Sequence, residues 1–317
     1  MIDLKKKRFI IFGSSGFLGQ NLIEEFKKRD LTYIGLSSND IDLITESNDY
    51  YLFKSIFINK DCIVINLAAN CGGIGYNQKN PVNLFTDNMN IIMNVFKICH
   101  NNKVEKLINV GTVCSYPITP SIPFKEEEIW DGYPEPTNAP YGIAKKCSLV
   151  LSECFKKQYG LNSINLMLAN MYGEFDHFGS EKGHVIPDLI NKFIEAKNTN
   201  SKSVMLWGTG KATRDFLYAK DAVNILLKII EFDYNKVCPV NIGTGLELSI
   251  ATLAVMIKNK IGFEGDIWWD GSKPNGQPKR VLDITKLESI IGKYEFTSIY
   301  DGINKTIDWY LEKIKGD

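Results

Sequence analysis

Short apolar runs alternate with stretches of helical spacing through the first half of the chain. Arg8–Phe12 is a short apolar run that stops at Gly13. From Phe17 to Phe26 the apolar residues Leu18, Leu22, Ile23 and Phe26 recur on one helical face. Thr32–Leu36 and Cys62–Leu67 read as a second and third strand. Asn88–Cys99 reads as a helix, with Ile91, Ile92, Val95, Phe96 and Cys99 along one side. Lys106–Val110 is a fourth strand, Tyr141–Tyr159 a long helix and Asn162–Leu168 a fifth strand. Strands alternating with helices predict an α/β fold: a doubly wound parallel sheet of Rossmann type, helices on both faces.

After Tyr172 the rhythm changes. Aromatics, glycine and histidine crowd 172–184, and 207–216 reads as loop. Asp221–Ile230 resumes a helix, and the tail from Leu248 reads as helices with a short strand near Ile267–Trp269. The expected division is a dinucleotide-binding domain of 1–172 plus about 217–245. A smaller, discontinuous α+β substrate lobe takes about 173–216 plus 246–317.

Charge narrows the partners. Lys+Arg and Asp+Glu are both 37 in 317 residues, so no basic excess exists for nucleic acid, and none is expected as a partner. No apolar run is long enough to cross a membrane, so none is expected as a partner either. The start, Lys5-Lys6-Lys7-Arg8 and then Phe9 to Phe12, is too short for a secretory apolar region. Seven scattered cysteines form no CxxC pair, and with three histidines no metal site is expected. A reducing, cytoplasmic setting fits that pattern.

Gly13-Ser14-Ser15-Gly16-Phe17-Leu18-Gly19 lies between the first strand and the first helix. Glycines there allow a tight turn and let backbone N–H groups meet a pyrophosphate at the helix N-terminus. Strand two ends Leu36-Ser37-Ser38-Asn39-Asp40, without arginine and with its acid late. Hydroxyls can bond a phosphate, so NADP(H) and NAD(H) both stay open.

Tyr141 and Lys145 form a YxxxK pair on one helical face. An ammonium beside a phenol lowers its pKa from about 10, which predicts a tyrosine able to pass a proton to a sugar oxygen. The spacing recurs at Tyr50–Lys54, expected on a solvated helix, so spacing alone carries little. Position carries more: Tyr141 follows the strand ending in Gly111-Thr112-Val113-Cys114-Ser115-Tyr116-Pro117, and catalytic groups of open α/β sheets sit at carboxyl ends of strands. Thr112 offers a hydroxyl, and strand alternation would turn Cys114 to the same side. A thiol and an imidazole such as His184 could serve as base and acid in epimerisation beside a ketone. Taken alone, Cys114 reads more readily as a buried small hydrophobe.

In order along the chain stand AANCGGIGYNQKNP (68–81), GTVCSYP (111–117), EPTNAPYGIAKK (135–146), NMYG (170–173), HVIP (184–187), WGTGKATRDFLYAKD (207–221) and NIGTG (241–245). With these the chain resembles the extended short-chain dehydrogenase/reductases, the NAD-dependent epimerase/dehydratase family, and within them the GDP-L-fucose synthases. The resemblance implies 3,5-epimerisation of a GDP-4-keto-6-deoxy-hexose through Cys114 and His184. Reduction at C4 follows, with Thr112, Tyr141 as proton donor and Lys145 beside it. It implies NADP(H) held by Gly13, Ser14, Ser15, Gly16, Phe17, Leu18 and Gly19, by Ser37 and Ser38, by Leu67, Ala68, Ala69 and Asn88, and by Tyr141, Lys145 and Asn170. Substrate contacts are implied for Asn170, Val185, Lys192, Trp207, Arg214 and Arg280, and a homodimer through the helices containing 88–99 and 141–159. Ser15 stands where these enzymes carry a basic residue, and Lys192 where they carry arginine.

Two other readings stand beside this one. A related nucleotide-sugar C4 reductase or 4-epimerase would lack 3,5-epimerisation. A non-catalytic dinucleotide-sensing protein would have no need of Thr112, Tyr141 and Lys145 together.

Overall fold

The fold, a computed structural model, describes residues 1–45, 53, 55–56, 62–180 and 183–316. Six strands form one parallel sheet: β1 Arg8–Phe12, β2 Thr32–Leu36, β3 Cys62–Asn66, β4 Lys106–Thr112, β5 Ser163–Leu168 and a late strand, Val240–Ile242. Their spatial order is β2-β1-β3-β4-β5 and then the late strand. Each strand's alternate residues enter opposite cores. Phe9 and Ile11 join Leu22, Phe26 and Leu226 on one face, and Ile10 and Phe12 join Ile92, Val95 and Phe96 on the other. Burial on both faces is why the inner strands read as unbroken apolar runs.

The helix Phe17–Arg29 follows β1, and the helix Pro81–Asn101 begins seven residues ahead of Asn88, where the sequence predicts its start. The helix Ala139–Tyr159 starts two residues before Tyr141, with Pro140 in its first turn, where a missing N–H costs nothing. The motif Tyr50–Lys54 lies outside the described residues.

A third apolar cluster gathers the later elements. It is built on the helices Val185–Asn198, Ile250–Ile261 and Ile299–Gly316, with Phe193, Ile257 and Ile307 at its centre. Small strand pairs border it. β6, Asn170–Tyr172, runs parallel to Phe216–Tyr218, and Ser203–Trp207 runs parallel to Asp266–Asp270. Thr213–Arg214 bridges Leu248–Ser249 and Lys279–Arg280. Residues 207–216, expected as loop, therefore carry the end of one strand, all of a second and the start of a third; the last two are too short to show a period, and the first exposes apolar Met205 and Trp207, which hides its alternation. The late strand, only three residues long, likewise shows no period in the sequence. The helix Val185–Asn198 is an addition to the predicted elements, with Ile186, Leu189, Ile190 and Phe193 on its buried face.

Strand order reverses between β1 and β3, and the crevice of an open α/β sheet opens at such a point, beyond the carboxyl ends of its strands. The glycine turn and residues 67–69 are placed there. Leu67 N–H donates to Phe12 O at 2.9 Å, and Gly13 and Ser14 N–H both donate to Leu36 O.

Candidate active site

The glycine turn fits a dinucleotide. Gly13 sits at φ +79, and a Cβ there would come within 2.7 Å of Ala68 N. A side chain at Gly19 would run into the carbonyl oxygens of Gly13 and Ser14. Gly16 caps the helix Phe17–Arg29 without a side-chain hydrogen bond, so the first N–H groups of that helix are left for an anion. Phe17 and Leu18 are buried, so their backbone is what they offer. Ser15 is exposed, and Ser14 packs beneath Gly35.

At the end of β2, Asp40 folds back. Its Oδ2 accepts the N–H of Ser37 at 2.7 Å and its hydroxyl at 2.6 Å, and these bonds hold the carboxyl below its ordinary pKa. An acid that looks late in sequence thus stands beside Ser37. Asn88 departs from expectation: both its amide hydrogens are used internally, on Asn70 O and Leu84 O at 2.7 Å each, and its Oδ1 accepts Asn70 N–H. It clamps the 68–73 loop and offers no amide hydrogen to a cofactor. Asn170 does the reverse, since its Oδ1 is buried without a partner.

β4 ends at Thr112, and Val113–Ser115 is a 3₁₀ turn, so strand alternation does not place Cys114. The turn is capped by Thr112, whose Oγ1 accepts Cys114 N–H at 3.2 Å. The helix carrying Tyr141 packs directly on that turn: a side chain at Gly142 would collide with the carbonyl of Cys114, and Ser115 Oγ donates to Gly142 O at 2.8 Å.

Tyr141 is partly buried and Lys145 buried. Loss of water raises the Tyr141 phenol well above its usual pKa, and the thiols of Cys71 and Cys114 add to that. Burial lowers Lys145 to about 8, against a smaller opposite effect of Cys71. The expected depression of the phenol by the ammonium is therefore not found; desolvation keeps Tyr141 protonated.

On the other side, Arg280 Nη1 donates to Cys114 Sγ at 3.5 Å. Arg280 and Arg214 are both buried, and Gln277 clamps them, its Oε1 accepting Arg280 Nε at 2.8 Å and its carbonyl accepting Arg214 Nη1 at 2.6 Å. Burial first, and then the like charge of Arg280, lower Arg214 to about 9 against the opposing Cys114 and Glu135. Trp207 is half-exposed and lies under the helix Ile74–Lys79, 3.8 Å from where a Cβ on Gly75 would be. His184 caps the helix Val185–Asn198, and Val185 begins it. A side chain at Gly73 would meet Gly183 O, so the 68–73 loop abuts the His184 segment. Lys192 pairs with Asp188 on its own helix at 2.8 Å and makes no link to the two arginines.

Sequence reasoning missed Cys71, Glu135, Asp176 and Gln277. Cys71 and Glu135 lie inside the quoted stretches 68–81 and 135–146; Asp176 and Gln277 lie in none, and only the fold brings them to the site.

Comparison with known proteins agrees with this geometry. Residues 9–243 match the NAD dependent epimerase/dehydratase family. The GDP-L-fucose synthase of Sinorhizobium fredii is 34% identical over 314 residues, covering 99% of this chain and 98% of its own. The NADP-bound GDP-L-fucose synthetase of Naegleria fowleri superposes with a TM-score of 0.88 at 25% identity, covering 99% of this chain and 97% of that one. An NADP-bound GDP-mannoheptose C4 reductase from Campylobacter jejuni gives 0.86 at 28% identity, covering 98% of this chain and 100% of that one. Shared sequence along nearly the whole length and a shared fold around the same crevice have one conclusion: the chain belongs to the NAD dependent epimerase/dehydratase family.

Proposed function

We propose that this protein epimerises a GDP-linked 4-keto-6-deoxy-hexose at C3 and C5 and then reduces C4, as a GDP-L-fucose synthase does. NADP(H), bound along the glycine turn, Ser37, Ser38 and Asn170, supplies the hydride. Cys114 and His184 exchange protons with the carbons beside the ketone, which are acidic because the enolate delocalises onto O4. The hydroxyls of Tyr141 and Thr112 stabilise charge on that oxygen. Tyr141, held protonated by its surroundings, donates to O4 on reduction, and Lys145 resupplies the proton. Arg214 and Arg280 take the diphosphate in bidentate fashion, Trp207 and Val185 line the sugar nucleotide, and Lys192 sits at the rim.

One observation carries this reading: Cys114 packs its backbone on the helix of the YxxxK pair while its thiol accepts a hydrogen bond from the buried guanidinium of Arg280. A plain reductase needs no sulfur there. The decisive experiment incubates enzyme, NADPH and a GDP-4-keto-6-deoxy-hexose in heavy water. Deuterium at C3 and C5 together with NADPH oxidation is expected. Oxidation without deuterium would leave a C4 reductase, and neither would leave a dinucleotide-binding protein.

The same reading includes a homodimer through the helices Pro81–Asn101 and Ala139–Tyr159, which expose Val82, Phe85, Met93 and Val150. It keeps the substrate lobe at about 173–216 plus 246–317 and a cytoplasmic setting. That setting fits the cysteines, which form no disulfide among the described residues, while no helix there is long and apolar enough to cross a membrane.

A further inference from the structure

We infer that Asp176 is a positioning residue: it grips His184 through Nδ1 and so leaves Nε2 as the nitrogen that exchanges a proton with the sugar. The inference rests on His184 acting in the epimerisation proposed above. Asp176 Oδ1 lies 3.3 Å from His184 Nδ1, and the Asp176 side chain is fully buried while that of His184 is 38% exposed. The same Oδ1 accepts the backbone N–H of His177 at 2.7 Å, and Oδ2 is buried with no partner. Among the described residues His184 is the single charged or chargeable side chain bonded to this carboxylate. A buried carboxylate so poorly satisfied is costly to keep. An acid–base partner that takes on positive charge is a reason to keep it.

The loop is braced to deliver this contact. Phe175, at φ +67, packs edge-on against Trp309, and Phe178 stacks on Tyr310 with centroids 4.0 Å apart. Asp176 lies between two anchored rings, so its carboxylate approaches His184 from a rigid base.

Among the described residues, other groups near the imidazole do not supply the same charge. His184 caps a helix N-terminus, whose dipole disfavours an imidazolium. Asp188 in the first turn is paired with Lys192, and the abutting 68–73 loop brings only the Cys71 thiol as a titratable side chain. Burial opposes the charged ring, yet Asp176 outweighs it and the His184 pKa lies above its ordinary value.

The test is an imidazole nitrogen titration by NMR, simplified by the presence of three histidines. In the native protein, neutral His184 is expected as the Nδ1–H tautomer; an Nε2–H tautomer would overturn the inference without any variant. Asp176→Asn, which keeps the shape and removes the charge, should move the His184 midpoint down. It should cut deuterium uptake at C3 and C5 about 10- to 100-fold, part of what a positioned acid or base is worth. Reduction of an already epimerised ketone should persist. An unmoved midpoint, or native uptake, would overturn the inference. Absence of uptake in the native enzyme would instead remove the epimerase reading, while the tautomer and midpoint still decide what Asp176 does to the ring.

Discussion

The backbone of Gly142 lies directly against the carbonyl of Cys114, so the residue after Tyr141 has no room for a Cβ. The neighbour is backbone rather than a flexible side chain, so it cannot step aside. Gly142→Ala should force the helix Ala139–Tyr159 off the 113–115 turn, destabilising the chain by about 1–3 kcal/mol. The displacement should also part Tyr141 from Cys114 and lower reduction and exchange together. A variant with native melting temperature and both activities intact would show that the close approach has no consequence.

Lys145 gives a pH signature with a definite sign. Its folded pKa, about 8, lies below the ordinary lysine value. Between those two values the unfolded chain binds a proton that the folded chain does not, so stability from this group rises with pH across that window. Lys145→Met should therefore stabilise the cofactor-free protein at neutral pH, and the gain should shrink as pH rises above about 8. Reduction should meanwhile be nearly lost. Urea denaturation at a series of pH values checks the first effect; a pH-independent gain would contradict it.

Tyr141→Phe should slow C4 reduction about 10²–10⁴-fold, the usual worth of a positioned proton donor, with little change in GDP-sugar affinity. Steady-state kcat and KM separate the two, and a near-native kcat would take the phenol out of the reduction.

Much of the sheet was legible in the sequence, because a strand buried on both faces must be apolar throughout, as Cys62–Ile65 is. Asn66, inside the same predicted strand, breaks that rule. It begins a buried ladder across three adjacent strands, from Asn66 to Asn109 at 2.8 Å, from Asn109 to Asn165 at 3.2 Å, and on to Ser152 of the long helix at 2.8 Å. No periodicity reveals such a row, since its members are 43 and 56 residues apart and meet only through strand register. The site divides in the same way. Gly13, Thr112, Tyr141 and Lys145 stand at strand ends or on one helix face and were legible. The clamp of Gln277 on two arginines, and the contact of Asp176 with His184, are long-range products of the fold.

The ladder makes its own prediction. Asn109→Ala removes the middle rung and leaves buried amide groups on Asn66 and Asn165 short of partners. Each such group costs about 1–3 kcal/mol, so the loss should exceed that of a typical side-chain truncation of this size. Asn66 Oδ1 also holds Ala68 N–H at 3.2 Å, so NADP(H) affinity should fall with stability. Chemical denaturation and cofactor titration of the same variant test both.

Asp40 offers the last test, on cofactor choice. Its carboxylate occupies the Ser37 donors at the end of β2, where the ribose of a dinucleotide would lie. A 2′-phosphate brought there meets a fixed negative charge and finds Ser37 already engaged. Asp40→Asn removes the charge and weakens the bond to Ser37, so NADPH affinity should rise while NADH affinity changes little. The gain should be largest at low ionic strength, because the group is fully exposed and salt screens it. Fluorescence titration with both nucleotides at two salt concentrations measures this. If NADPH affinity falls instead, Asp40 orders the turn that receives the phosphate, and its hydrogen bonds to Ser37 matter more than its charge.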